Sequence, residues 1–343
     1  MKKSFNSKFS AVILAGGSGE RFWPLSTPDR PKQFLDYFGG QSLIRQTVSR
    51  LDGFVRIEDT FVLTTKELRS ATVKELRELP SANIVSEPVR RDTLAAIALG
   101  VGVSGRDDDC VIGFFPSDHL VNKNTKFRAA LRKAVSLAGS KNCIVTIGVK
   151  PACASTAFGY IDPVTGRFFE KPDKSAAGKY IDAGFLWNAG MFFARAGVFR
   201  TLFNKYAPAV LPLSQGRVGK SRLAAFYSSL AKISFDYAVM EKLPQKPALK
   251  RGDTVLEVVT GDFGWDDVGG YGAFDKYFPH DENGNVREGE CTAVESESNI
   301  CIARGAKLSL LGVKNLIVVS TAGNVLVADK SRAAELKKLF KRD

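Results

Sequence analysis

The sequence has no CxxC pair, and its five cysteines, at 110, 143, 153, 291 and 301, are odd in number. Neither a disulfide framework nor a zinc site is indicated, and this usage suits a reducing cytoplasm. Cys110 and Cys143 lie beside apolar runs and are expected to be buried packing residues. Long apolar runs are also missing. After the lysines of MKKSFNSKF the first such run is only Ala11–Ala15, too short for a signal h-region, and none approaches membrane-spanning length. No membrane partner is expected. The balance is basic, 49 Lys+Arg against 36 Asp+Glu, or +13, which suggests anionic partners. The charges are scattered, and no basic block is interleaved with aromatics, so nucleic acid is not expected among those partners. The one dense run, Lys337, Lys338, Lys341 and Arg342, reads as a solvated helix face.

The 343 residues suffice for about two domains, and 44% hydrophobic with 25% charged residues is ordinary for a globular chain. Short apolar runs alternate with helical patterns. Strands are expected at Ser10–Leu14, Thr60–Thr64, Asn83–Ser86, Cys110–Phe115, Cys143–Val149, Ala189–Phe193 and Val255–Val259. Several are apolar at consecutive positions, as suits strands covered on both faces. Helices are expected at Leu43–Leu51, Lys66–Leu79, Thr93–Val103, Lys126–Ala138 and Ala196–Tyr206. The alternation argues for an α/β layered fold with right-handed crossovers. At Asp281–Gly284 the pattern changes to short strand-like pieces, Cys291–Val294, Asn299–Ile302, Lys307–Leu311, Leu316–Ser320 and Asn324–Ala328, closed by a terminal helix at Ser331–Phe340. This divides the chain into 1–283 and a small β-rich domain, 284–343.

The densest chemistry lies in Ala11–Leu35, AVILAGGSGERFWPLSTPDRPKQFL. Gly16, Gly17, Ser18 and Gly19 follow a strand, where glycines let backbone N–H groups converge on phosphate oxygens. Two standard phosphate motifs are absent. A Walker A loop needs GxxxxGK[ST], and no Lys-Ser/Thr pair follows; the dinucleotide fingerprint needs a glycine where Phe22 stands. Arg21 can fork across two phosphate oxygens and Lys32 can act as a point charge. Pro24, Pro28 and Pro31 restrict the loop that carries them. Further on, FFPSDHL places Asp118 just past an apolar strand, where ligands gather in open α/β sheets.

The segment GGSGERFWPLSTPDRPKQF resembles the signature of the sugar-1-phosphate nucleotidylyltransferases, specifically the guanylyltransferases that act on mannose 1-phosphate, whose pattern is close to GGxGTRLWPLSxxxxPKQF. Glu20 stands where Thr is usual and Phe22 where Leu is usual. Further similar segments follow in order. SEPVRRDTLAA (86–96) resembles EPxGRNTAPA, with Arg90, Asp92, Leu94 and Ala95 departing from the usual residues. TAFGYI (156–161) resembles TGYGYI, FEKP (169–172) matches EKP, WNAGMF (187–192) matches WNxGMF, FDYAVMEK (235–242) resembles IDYAVMEK, and GDFGWDDVGGY (261–271) resembles GxFxWSDVGSW. GVKNLIVVSTAGNVLVADK resembles the closing segment, so the likeness covers most of the chain.

The resemblance implies a Rossmann-like, GT-A-like nucleotidyltransferase sheet with a small C-terminal β-rich domain. It implies transfer from GTP to α-D-mannose 1-phosphate, giving GDP-mannose and pyrophosphate by in-line attack at the α-phosphorus. Arg21 and Lys32 would act as the catalytic cations. Gly16, Gly17, Ser18, Gly19, Glu87 and Thr93 would bind the nucleotide, Glu87 accepting the N1–H and N2–H donors of guanine. Gly159, Glu170, Lys171 and Asn188 would bind the sugar phosphate. Asp118 and Asp267 would hold Mg²⁺, a cation suited to oxygen donors and substrate phosphates. Asp266 adjoins Asp267, so exchanged roles stay open. His119 is expected as a hydrogen-bonding side chain, since Mg²⁺ rarely takes imidazole. Another sugar 1-phosphate, such as a manno-heptose 1-phosphate, remains an alternative substrate, and a nucleotide-sugar-binding regulator on a dead enzyme scaffold is the alternative class. The C-terminal β domain has two roles open to it, covering the active site or forming a homodimer contact.

Overall fold

The computed structural model describes residues 9–340 apart from 18, 106, 246–249, 251 and 252. Ser18, expected in the glycine loop, lies outside the described residues, as do Lys341 and Arg342 of the basic run. The chain forms two compact units. The first comprises the chain up to Gly16 with Thr47–Ser117 and Val121–Trp265. The second comprises Gly17–Gln46, Asp118–Leu120 and Asp266 onward.

A mostly parallel sheet organises the first unit. Its strands run in the order Val255–Gly261, Cys143–Val149, Leu186–Arg195, Val111–Pro116, Phe9–Ala15, Thr60–Thr65 and Ile84–Glu87. Phe9–Ala15 pairs in parallel with Val111–Pro116 and Thr60–Thr65, while Leu186–Arg195 is antiparallel to both its neighbours. Every residue of Cys143–Val149 and Thr60–Thr65 is buried, as consecutive apolar positions require in a sheet covered on both faces. The helix Asp92–Ser104 buries Leu94 through Val101, including Gly100, an uninterrupted run with almost no polar face. Cys110 and Cys143 are buried, as expected.

Three elements differ from the sequence reading. The strand expected at Ala189–Phe193 extends over Leu186–Arg195, because Trp187 and Asn188, polar-tipped residues at its start, are themselves buried. The helix expected over Lys66–Leu79 is an α-helix only at Arg69–Glu75, the chain turning at Leu76 to bury Leu76 and Leu79 ahead of Pro80. The terminal helix, Lys330–Phe340, is of the 3₁₀ type.

The second unit carries the small β structure. Val286–Glu288, Ile300–Ala303 and Leu316–Ser320 stack in parallel, and Val325–Asp329 closes them antiparallel. Cys291–Val294 pairs with Leu308–Leu311. Buried asparagines tie the turns together. Asn299 Nδ2 donates to Asn285 Oδ1 (2.9 Å) and to the Val313 carbonyl (3.0 Å), and its Oδ1 accepts from Leu316 N (2.8 Å). Ile300, Ile302, Ile317 and Val319 form a core with Phe22, Leu25, Leu35 and Phe38 of the loop that follows the glycines. The Tyr271 hydroxyl donates to the carbonyls of Phe22 (3.0 Å) and Trp23 (2.9 Å), so that loop is anchored from both sides.

Candidate active site

Four of the expected residues, Arg21, Lys32, Asp118 and Asp267, meet in the second unit. Gly19 has φ +65°, and a Cβ there would stand 2.5 Å from Lys32 N and 2.6 Å from Lys32 Cβ. Only glycine permits that approach, which seats Lys32 at the head of a short 3₁₀ turn, buried. Lys32 Nζ donates to Asp118 Oδ2 at 2.8 Å and to the Asp267 carbonyl. Burial alone would push Asp118 up, but the Lys32 ammonium, with His119 nearby, holds its carboxyl below the usual value. Asp267 is raised, chiefly by burial and further by Asp266 and Asp118, against the opposing charges of Lys32 and Arg21. Its Oδ2 lies 3.2 Å, and Arg21 Nη1 3.3 Å, from where a Cβ on Gly269 would stand, so guanidinium and carboxylate share the space a side chain would fill. Arg21 is exposed, as is Glu20 beside it. His119 Nε2 stands 3.8 Å from Asp118 Oδ1, an ion-pairing distance.

The two adjacent acids are separated by their partners. Asp266 accepts from Val268 N (2.7 Å), from the Tyr277 hydroxyl (2.8 Å) and from Lys276 Nζ. Burial would raise it, but these donors hold it low. Val268, a buried β-branched residue, is held at φ +47°, a strained conformation that the Asp266 turn imposes just beyond Asp267. Asp266 is therefore occupied in shaping the turn, and Asp267 is the acid beside the cations.

In the first unit the sugar-phosphate candidates converge. A Cβ on Gly159 would stand 2.7 Å from Glu170 Oε2, and the Gly159 carbonyl accepts from Asn188 N at 2.8 Å. Lys171 Nζ donates to Glu170 Oε1 at 2.5 Å. Partial burial would lower the Lys171 ammonium, but Glu170 and the nearby Asp236 raise it. The sequence reading missed three members. Asp236 accepts from Asn188 Nδ2 (3.1 Å), Thr146 donates to Asn188 Oδ1 (2.8 Å), and Glu241 accepts from Glu170 N (2.8 Å). Burial, with Glu170 close by, pushes Asp236 up to about 7. Asp236 and Glu241 were within reach, since both lie in the FDYAVMEK segment.

The nucleotide candidates of the same unit are fewer. Glu87, buried at the end of its strand, accepts from the Tyr227 hydroxyl at 2.9 Å, and burial pushes it up to about 7. Gly16 lies beside it; Gly17 belongs to the second unit and has nothing within 4 Å of where a Cβ would stand. The Thr93 hydroxyl oxygen accepts from Phe235 N at 2.9 Å, so that oxygen already serves to dock the 235 segment. Among the described residues no three metal-ligating side chains gather, and no helix is long and apolar enough to cross a membrane.

Residues 10–284 match the family of the nucleotidyl transferases. The chain belongs to that family. Residues 289–342 match the mannose-phosphate isomerase/GMP-like β-helix domain. Among individual relatives, a mannose-1-phosphate guanylyltransferase of Escherichia coli is 35% identical over 95% of this chain and 72% of its own length. One from strain K12 is 33% identical over 98% and 73%. A crystal structure from Thermus thermophilus, described as a mannose-1-phosphate geranyltransferase, superposes with a TM-score of 0.83 at 31% identity, covering 98% of this chain and 99% of that one. This nucleotidyltransferase therefore has the α/β fold expected of it, with a C-terminal β structure.

Proposed function

We propose that this nucleotidyltransferase joins GTP to α-D-mannose 1-phosphate, forming GDP-mannose and pyrophosphate in the cytoplasm. The observation that carries the reaction is the Lys32 ammonium, buried against Asp118 and Asp267 with Arg21 alongside. The substrates rest on the guanylyltransferase relatives, which match at 33–35% identity over nearly the whole chain. An oxygen of the sugar phosphate attacks the α-phosphorus, and the bond to the β-phosphate oxygen breaks as pyrophosphate leaves. No enzyme nucleophile is needed, so the protein's work is positioning and neutralising charge. Arg21 and Lys32 neutralise the triphosphate, Gly16, Gly17, Ser18 and Gly19 approach it with their backbone, and Glu87 reads guanine with Thr93 behind it. Gly159, Glu170, Lys171 and Asn188 hold the sugar phosphate.

Asp118 and Asp267 fit Mg²⁺. The Asp118 carboxylate already draws a cation, the Lys32 ammonium, at 2.8 Å, and the Asp267 carboxylate feels the charges of Lys32 and Arg21; Mg²⁺ binds through one or two carboxylates plus substrate phosphates. When bound it would supply Lewis-acid polarisation of phosphate oxygens. We further propose that residues 284–343 form the separate C-terminal domain of the chain.

The test is pyrophosphate release from GTP and ATP with mannose, glucose and manno-heptose 1-phosphates, in Mg²⁺ and after chelation. GTP with mannose 1-phosphate should be fastest and should need the metal. Faster turnover of the heptose phosphate would transfer the assignment to that sugar. Nucleotide-sugar binding without any turnover would convert the protein into a binding regulator.

A further inference from the structure

Tyr227 belongs to none of the segments that resemble the family, yet it meets the residue to which base reading is assigned. It sits on the helix Lys220–Ser229, is fully buried, and spends its one polar group on Glu87 Oε2 at 2.9 Å. Arg91 fastens the end of that helix, its Nε donating to the Tyr227 carbonyl (3.1 Å) and its Nη2 to that of Ser228 (2.5 Å). The tyrosine is thus fixed both by its ring and by its backbone. The other carboxylate oxygen, Oε1, faces Gly16, at 3.4 Å from where a Cβ would stand.

We propose that Tyr227 decides which purine this enzyme accepts, by holding Glu87 in the two-acceptor form that guanine requires. The inference rests on Glu87 being the base reader. An ionised carboxylate with Oε2 held by Tyr227 offers Oε1 and the remaining lone pair of Oε2. That is an acceptor pair, matching the adjacent N1–H and N2–H donors of guanine. A protonated Glu87 carries its proton on Oε1, because Oε2 is already accepting. It then offers one donor and one acceptor, which matches N1 and the 6-amino group of adenine. Proton state therefore selects the base.

The surroundings place this choice near neutrality. Burial pushes Glu87 up to about 7, and the Tyr227 hydrogen bond and Arg90 pull against it, while Asp92 pushes further up. Burial beside Glu87 drives the tyrosine's own titration far above the physiological range, so it remains a donor throughout. Tyr227 is a positioning residue: it acts on the base through Glu87.

The experiment measures GTP and ATP affinities of the full chain by calorimetry between about pH 5.5 and 8.5. The triphosphates titrate alike, so their own protonation cancels in the ratio. Wild type should prefer GTP above pH 7, with the GTP/ATP ratio falling about tenfold per pH unit below its midpoint. Tyr227→Phe keeps the ring and loses the donor, so the midpoint should move up by about one unit. Glu87→Gln cannot ionise, and its ratio should be low and flat with pH. A folded Tyr227→Phe with the wild-type midpoint overturns the role of Tyr227. If Glu87→Gln has lost the preference in that case, base reading by Glu87 stands. A Glu87→Gln ratio equal to wild type removes both. Should Tyr227→Phe not fold, 3-fluorotyrosine at 227, a stronger donor of nearly the same shape, must lower the midpoint, and an unmoved one overturns the inference.

Discussion

Lys32→Met removes one charge from the centre of the cation–acid cluster and keeps nearly the same side-chain length. The lost contacts are the bond to Asp118 Oδ2 at 2.8 Å and the bond to the Asp267 carbonyl. Charge-assisted hydrogen bonds contribute about 1.5–3 kcal/mol each to stability. The Lys32 side chain is 10% exposed and that of Asp118 32%, so solvent screening puts each bond near the lower end, and the two together at about 3 kcal/mol. Against the unfolding entropy of a chain of 343 residues, that corresponds to a fall in Tm of about 4 °C. The pH dependence follows from the Asp118 carboxyl being held below its ordinary value. Such a group contributes its full stability above the unfolded carboxylate value of about 3.9, and loses it as pH falls through the lower folded value. The gap in Tm between wild type and Lys32→Met should therefore be full at neutral pH and narrow below about pH 4. Turnover should fall by about 10²–10³, the usual cost of removing one group aimed at developing charge. Pyrophosphate release and thermal melts across pH read both effects. Activity within about fivefold of wild type would leave Lys32 a structural cation only, and a Tm gap that stays constant into acid would refute the ion-pair argument.

Gly19→Ala places a Cβ against Lys32 in a left-handed backbone that costs about 1–2 kcal/mol by itself, so it should lose nearly all turnover, measured as initial rates on protein that still melts cooperatively. Asp267→Asn should raise the Mg²⁺ concentration needed for half-maximal rate. Asp266→Asn weakens the hold of Lys276 on the turn and should lower kcat at unchanged Mg²⁺ requirement; equal metal dependence in the two variants would refute the division of roles. Asn299→Ala strands the Leu316 amide and takes one of two donors from the Asn285 oxygen and from the Val313 carbonyl, and should destabilise the second unit by about 1–3 kcal/mol, seen as an earlier transition in urea, with GTP affinity lost over the same transition because Arg21 and Lys32 lie in that unit.

The candidate site was legible where its chemistry is local. Gly19, Arg21 and Lys32 lie within one stretch whose composition already describes an anion cradle, and the structure puts the last two beside Asp118 and Asp267. Glu170, Lys171 and Asn188 come from short segments drawn together by the pairing of Tyr160–Ile161 with both Phe168–Phe169 and the start of Leu186–Arg195, and by the Gly159 approach. Most strands and helices were located within a few residues, because the apolar runs of the strands are short and bounded by turn residues while those of the helices are longer. Partners chosen by the fold were not legible. Tyr227 lies 140 positions from Glu87, in a helix whose sequence has no distinguishing pattern. The Tyr271 bonds to the Phe22 and Trp23 carbonyls and the Asn285–Asn299 ladder are also products of packing. An asparagine in a turn reads as an exposed turn residue until a second rung covers it.

The departures from the family pattern acquire a meaning only through those partners. Arg90 and Asp92 replace residues that are usually uncharged, and each acts on Glu87, the arginine lowering it and the aspartate raising it. The two changes oppose one another at the same carboxylate. Asp92, the first residue of its helix and at a positive φ of 63°, also spends Oδ1 on the adjacent Thr93 N at 2.7 Å, which an asparagine would do with the same geometry and no charge. Charge is thus what the substitution adds, and Arg90 offsets it. With the flanking charges opposed, burial and the Tyr227 hydrogen bond are left to set the proton state of Glu87, and both are products of packing. If Glu87 reads the base as proposed, its preference therefore rests on a buried tyrosine rather than on the charged residues that differ most visibly from the family.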